Sequence, residues 1–244
     1  LKKYIAYSLW DNLPIYTVGI LKNIMQAATI YPDWQVIVYY DGSVPEQIIT
    51  DIKNEGAIAV DMTGGIYGMF WRFYAADLED CERVIFRDAD SRLSTREKLA
   101  VDEWINNDDA IHIMRDHPHH QANDENHFKI LGGMWGIRGN LLSMHELVAS
   151  FAGQNELAYG SDQYFLNEIY SRFQNSATIH DDFFDKKPFP TQREGWGFIG
   201  QKINENDEPF NDDGLVIRDF YEKQTIISHI KSKVKSLFRL VLKK

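Results

Sequence analysis

Strand-like and helix-like segments alternate over the first ninety residues, and that alternation limits the folds open to the chain. Tyr4 to Leu9 reads as a strand, Ile15 to Ile30 as a helix, and Gln35 to Tyr40 as a second strand closed by Asp41-Gly42. Pro45 to Asn54 is helical, Ala57 to Met62 a short strand, Tyr67 to Leu78 a helix after the Gly64-Gly65 turn, and Arg83 to Phe86 a further strand. Short strands separated by helices imply an α/β domain with a mostly parallel central sheet. Ligands of such sheets bind beyond the carboxyl ends of the strands. The second half is less regular. Thr95 to Asn106 reads as a helix, Ala110 to Met114 as a strand, 116–128 as a polar loop, Leu141 to Phe151 and Asp162 to Phe173 as helices, and 181–214 as a surface wrap.

Arg83-Val-Ile-Phe-Arg-Asp-Ala-Asp90 carries the densest chemical signal. Val84, Ile85 and Phe86 are a buried-strand run, and Asp88 and Asp90 follow at a spacing of two. At a strand end that spacing can aim both carboxylates at one divalent cation. Oxygen ligands suit Mg²⁺ or Mn²⁺, which neutralise a substrate diphosphate. A polar strand end or a helix cap remains the bland alternative.

Charge and cysteine content narrow the class. The net charge of −10 divides into +7 over residues 223–244 and −17 over the rest. An acidic body lacks the basic footprint of a nucleic-acid binder. The tail interleaves Lys223, Lys231, Lys233, Lys235, Arg239, Lys243 and Lys244 with Ile227, Ile230, Val234, Leu237, Phe238 and Val241 at three/four spacing. Such a basic amphipathic helix can lie on an anionic membrane face or dock on protein. The expected organisation is one domain over 1–218 and a helical tail over 219–244. The single Cys81 excludes an internal disulfide framework and suits a reducing compartment. No run approaches the roughly 20 apolar residues of a membrane span, and no signal-peptide pattern opens the chain. The expected location is therefore the cytoplasm, with the tail on the inner membrane face. The chain starts at Leu1 rather than methionine, as an excised fragment would.

Gly132-Gly133, then Tyr159-Gly160-Ser161-Asp162-Gln163, then Ile179-His180-Asp181 follow the Asp-x-Asp in order. Together with the nucleotide-type first strand, this order resembles the GT-A fold glycosyltransferases, especially the retaining family 8 group and related bacterial polysaccharide enzymes. That family carries an Asp-x-Asp after a parallel strand, an Asp-Gln pair opening a helix, and a late histidine ahead of Lys-Pro-Trp. Here the matching stretches are Asp88-Ala89-Asp90, Asp162-Gln163, and His180 with Lys187-Pro188-Phe189. The resemblance implies a transferase for a nucleoside diphosphate sugar, a UDP-sugar in the first instance. The acceptor would be a glycan or lipid-linked saccharide. Asp88, Asp90 and His180 would hold the metal, with histidine favouring Mn²⁺ over Mg²⁺. Asp162 would bind donor hydroxyls, and Gln163 would sit at the anomeric face. Ser8, Arg72, Asp88, Arg115, Gly132, Gly133, Lys187 and Arg193 would bind donor or nucleotide.

Several alternatives stay open. If the reaction inverts, Asp162 becomes the general base; if neither holds, Ser161 or Asp162 merely caps a helix. His117, His119, His120 and His127 match no zinc template. Trp71 can be a sugar platform or a core residue. A haloacid dehalogenase-like phosphatase would use Asp88 as nucleophile, but Arg92 stands where such motifs continue with threonine or valine. A nucleotidyltransferase lacks its Gly-rich phosphate loop near Ser8 to Asn12. A non-catalytic nucleotide- or sugar-binding module keeps the metal site without turnover.

Overall fold

The computed structural model describes residues 1–120, 128–185 and 187–241, with backbone alone at 228, 229 and 232–241. The strands are β1 (Lys2–Leu9), β2 (Trp34–Tyr40), β3 (Ile58–Asp61), β4 (Cys81–Phe86), β5 (Ile111–Arg115), β6 (Trp135–Arg138) and β7 (Ala177–Asp181). The helices are α1 (Pro14–Ile30), α2 (Glu46–Asn54), α3 (Thr95–Asn107), α4 (Met144–Gln154), α5 (Ser161–Phe173) and α6 (Asp213–Val241), with a 3₁₀ helix at Gly68–Asp77. Among the described residues the strands form one sheet in the order β3-β2-β1-β4-β6-β5-β7. All pairings are parallel except those of β6 with β4 and β5.

The central strands are apolar because both their faces are covered. Tyr4 to Tyr7 of β1 and Val84 to Phe86 of β4 are buried. On one face the 3₁₀ helix, α4 and α5 enclose an aromatic core. Phe73 meets Phe86 edge-on at 5.2 Å and stacks on Phe165 at 5.8 Å, and Phe86 lies 4.5 Å from Trp135. On the other face Ile20, Ile24, Val38, Ile52 and Trp104 join α1, α2 and α3 to the sheet. Helix α1 begins at Pro14, where no intrahelical donor is needed, and stops before Pro32. Helix α3 is capped by Ser94, whose Oγ accepts from the Glu97 backbone N–H at 3.2 Å. Glu97 then reaches back to Arg87 at 2.7 Å. Both side chains are 2% exposed, so this buried ion pair fixes the backbone just ahead of Asp88.

Three expectations change. The Tyr67–Leu78 helix is a 3₁₀ run, with Phe70, Trp71, Arg72 and Phe73 all buried. Trp71 donates its Nε1 hydrogen to the Ile66 carbonyl at 2.6 Å and is a core residue, not a sugar platform. The Gly132-Gly133 stretch runs straight into β6, a strand of four residues whose reversed direction no periodicity announces. The tail helix starts at Asp213, ahead of residue 219, and is anchored by the buried Ile217 and by Phe220 against Phe183 at 5.1 Å. No helix among the described residues is long and apolar enough to cross a membrane. Lys243, Lys244 and His127 lie outside the described residues, as do the side chains of Lys233, Val234, Lys235, Leu237, Phe238, Arg239 and Val241.

Candidate active site

A cleft opens where β1 and β4 end, and Ser8, Trp10, Tyr16, Arg72, Asp88, Asp90, Gly132, Gly133, Asp162 and Gln163 line it. The 3₁₀ helix sets its floor. Three residues per turn put Met69 and Arg72 on one ridge facing the cleft, while Phe70 and Phe73 share the ridge that enters the core. Ser8 Oγ accepts the Arg72 backbone N–H at 3.0 Å and ties that helix to the end of β1.

Arg72 joins the two halves of the site. Its Nη1 donates to Asp88 Oδ1 at 2.5 Å and to the Arg87 carbonyl at 3.0 Å; its Nη2 donates to Asp162 Oδ2 at 3.3 Å. Arg72 is 6% exposed and Asp162 1%, so their contact is shielded from water and salt, whereas Asp88 is 45% exposed. Two carboxylates thus share one guanidinium, and Asp90 stands beside them as a third acid. Burial first, and the neighbouring Asp88 charge second, push the pKa of Asp90 up to about 6 against the opposing pull of Lys202. Burial also raises the Asp162 carboxyl, with Arg72 opposing.

The remaining parts are built for close approach. A Cβ on Gly133 would overlap the Asp88 carboxylate, and one on Gly132 would overlap Asp162 Oδ2 and Arg72 Nη2. Bare backbone is what lets these charged groups converge. Gly160, at φ +85°, turns the chain into α5 so that Asp162 falls in its first turn. Arg72 Nε, Asp162 Oδ1 and Gln163 Oε1 are buried without a hydrogen-bond partner. These three atoms retain hydrogen-bonding capacity at the cleft.

Ser8, Arg72, Asp88, Asp90, Gly132, Gly133, Asp162 and Gln163 therefore come together as expected. Four expected residues do not join them. His180 sits on β7, three strand spacings or roughly 14 Å across the sheet from β4. Its Nδ1 meets His112 Nε2 at 2.9 Å and its Nε2 faces Glu103 at 3.5 Å, so it is a packed core histidine rather than a ligand of the Asp88–Asp90 site. Arg115 is buried against Asp181 at 2.9 Å and also pairs with Asp185. Arg193 binds Asp116 at 2.5 Å, and Lys187 is exposed on the loop after β7. Asp116, fully buried, gathers Arg96, Arg193 and the Ile199 backbone N–H, and so pins the 189–199 segment. His117 bonds the Asp213 carbonyl at 3.0 Å, and His120 accepts from the Asp116 N–H at 3.2 Å. His117 thus ties the loop to the start of α6, and His120 braces the loop against itself. Among the described residues no group of three or more His, Cys, Asp or Glu is placed to hold a metal.

Sequence reading missed Lys202. Its Nζ lies 3.7 Å from Asp90 Oδ2, and no spacing signals that proximity across more than a hundred residues. Asp88 and Asp90 both line the cleft; a divalent cation of the magnesium type takes one or two carboxylates and completes its shell from phosphate and water. Without His180, the reason to prefer Mn²⁺ disappears.

No family model matches the sequence, and no curated protein matches it significantly. Solved structures do. The glycosyltransferase GlyE of Streptococcus pneumoniae TIGR4 matches with a TM-score of 0.51 at 14% identity, over 74% of this chain and 45% of that one. S. aureus TarS 1–349 matches with a TM-score of 0.49 at 14% identity, over 75% of this chain and 58% of that one. A 4-diphosphocytidyl-2C-methyl-D-erythritolsynthase from Anaerococcus prevotii DSM 20548 gives 0.49 at 9% identity, over 73% and 86%. The chain thus spans little more than half the TarS fragment and less than half of GlyE. The likeness to GlyE establishes the fold: this is a GT-A, Rossmann-like α/β chain.

Proposed function

We propose that the chain is a metal-dependent glycosyltransferase. It would move a sugar from a nucleoside diphosphate sugar, a UDP-sugar in the first instance, to a hydroxyl of a glycan or lipid-linked saccharide, as surface polysaccharide synthesis requires. One observation carries this reading. Asp88 and Asp90 meet Asp162 and Gln163 in a single cleft beyond the carboxyl ends of β1 and β4. The fold shared with GlyE agrees with it.

Asp88 and Asp90 would hold Mg²⁺ or Mn²⁺, which supplies positive charge to a departing diphosphate. Asp162, fixed by Arg72, offers Oδ1 to a donor hydroxyl. Gln163 presents an amide oxygen to the anomeric carbon as positive charge develops there. The C1–O bond to diphosphate breaks with its electron pair on the phosphate oxygen, and the acceptor oxygen bonds C1. An amide cannot take the acceptor proton, so in the retaining reading that proton passes to the leaving phosphate. The inverting reading keeps one supporting observation, since Asp162 has a burial-raised pKa and a partnerless oxygen, as a general base would. Asp88 is clamped by Arg72, which suits an anchor better than a phosphatase nucleophile.

The tail extends the same reading. Ile226, Ile227 and Ile230 are 59%, 50% and 56% exposed, on a segment with seven basic residues and no acid. An anionic membrane surface carrying the acceptor would match both properties.

The test is UDP release from a panel of UDP-sugars in Mn²⁺ or Mg²⁺, with the product's anomeric configuration read by NMR. Turnover that falls about 100-fold or more in Gln163→Ala and Asp162→Asn is expected. An inverted product would assign Asp162 as base. Turnover unchanged by strong chelator would remove the metal from the account, and no release from any donor would leave the binding-module reading ahead.

A further inference from the structure

We propose that Lys202 is the cleft's resident counter-charge: it occupies Asp90 when no diphosphate is bound and makes cation and nucleotide bind together. The inference rests on the reading of Asp88 and Asp90 as the metal pair.

Residues 201–210 form a small folded-back loop, closed by Phe210 N–H to the Lys202 carbonyl at 2.9 Å and Asn204 N–H to the Glu208 carbonyl at 2.9 Å. It is fastened to the segment that follows β4. Ile203 N–H donates to the Asp90 carbonyl at 2.6 Å, and Arg92 reaches Asp207 at 2.9 Å. Lys22 of α1 adds a further tie to Asp207 at 2.5 Å. The loop is thus held against the Asp-x-Asp segment from two sides, and it delivers one side chain toward the carboxylates.

That side chain is held loosely where its anchorage is firm. Lys202 Nζ stands 3.7 Å from Asp90 Oδ2, a charge contact longer than a good hydrogen bond. Its ammonium rides over the Phe210 ring at 4.4 Å and near the Tyr16 ring at 5.8 Å, and the side chain is 38% exposed. An ammonium on a flexible stem over aromatic faces can swing without losing its packing. Arg72 cannot play this part, since it is buried and spent on Asp88 and Asp162.

Lys202 and a divalent cation on Asp90 compete for the same carboxylate and repel each other. A diphosphate resolves the conflict by giving the ammonium a second anionic partner within reach. Cation and nucleotide are then coupled: each raises the affinity of the other by the same factor. The free cation alone binds poorly, so the site loads as a cation–nucleotide unit.

Calorimetric titration with Mn²⁺ alone, and with Mn²⁺ in saturating UDP, tests this on wild type, Lys202→Met, Lys202→Arg and Asp90→Asn. Lys202→Met keeps the stem over Phe210 and removes the charge. Its affinity for Mn²⁺ alone should rise on the order of tenfold, as expected for removing one cation a few ångströms from another near the surface. The gain in Mn²⁺ affinity on adding UDP should shrink by a similar factor, while Lys202→Arg keeps the wild-type pattern. Unchanged Mn²⁺ affinity and unchanged coupling in Lys202→Met, with binding lost in Asp90→Asn, overturn the role of Lys202 and leave the metal pair standing. Mn²⁺ binding that survives Asp90→Asn overturns the metal pair itself, and the inference with it.

Discussion

At the scale of single residues, the site depends on Gly133 and on Asp90. Gly133 lets Asp88 pass where any Cβ would overlap its oxygens. Gly133→Ala should therefore displace Asp88 and lower UDP-sugar turnover by about 100-fold, the scale expected of a misplacement near 1 Å. The melting temperature checks that the fold survives. Asp90 sets the pH dependence. Its pKa, raised from 3.8 to about 6, means that folding stability falls as pH rises between those values, with the full cost present above about 6 and none below the unfolded value near 3.8. Cation binding requires the ionised form. Mn²⁺ affinity should be level above about pH 7 and fall about tenfold per unit below 6, as measured by calorimetry across pH. A flat profile would place the cation elsewhere. Sequence alone exposed these residues because glycine pairs and Asp-x-Asp are local patterns. It misassigned His180 because a motif's order in the chain does not say how many strands separate its parts.

Among the elements, the 3₁₀ helix at Gly68–Asp77 does most to couple core and cleft. Its threefold period sends Phe70 and Phe73 inward while Arg72 bridges Asp88 and Asp162. Arg72→Met should leave Asp162 buried without its counter-charge and destabilise the fold by about 3–5 kcal/mol, read by urea denaturation. Arg72→Lys should recover only part of this, because an ammonium lacks the fork that spans two carboxylates. A loss under about 1 kcal/mol in Arg72→Met would show the bridge to be incidental. The sequence announced a helix here but not its type, since bulky aromatics facing both sheet and α5 override a 3.6-residue pattern. Strand β6 was hidden for a related reason. It has four residues, Trp135-Gly136-Ile137-Arg138, too few for a period to register. The parallel strands β1, β2 and β4 were legible because burial on both faces demands continuous apolar runs.

For the whole molecule, charge and topology divide the work. Ser8 from β1, the Asp-x-Asp that follows β4, and Asp162 of α5 meet at one edge; the alternation of elements placed Asp88 and Asp90 there, while Asp162 was expected from the resemblance alone. Lys202 arrives there through a loop whose path only tertiary packing fixes. The basic tail lies apart from that edge in sequence and composition. Deleting residues 223–244 should abolish sedimentation with anionic liposomes at low salt while leaving UDP binding intact; unchanged sedimentation would assign the tail to a protein partner. The central claim is that Asp88 and Asp90 make this GT-A cleft a cation-dependent nucleotide-sugar site. It is tested most directly by calorimetric binding of UDP in Mn²⁺ and in chelator, for wild type and Asp90→Asn. The account predicts binding in Mn²⁺ that vanishes both with chelator and in Asp90→Asn. UDP binding of equal strength in all four experiments would contradict it.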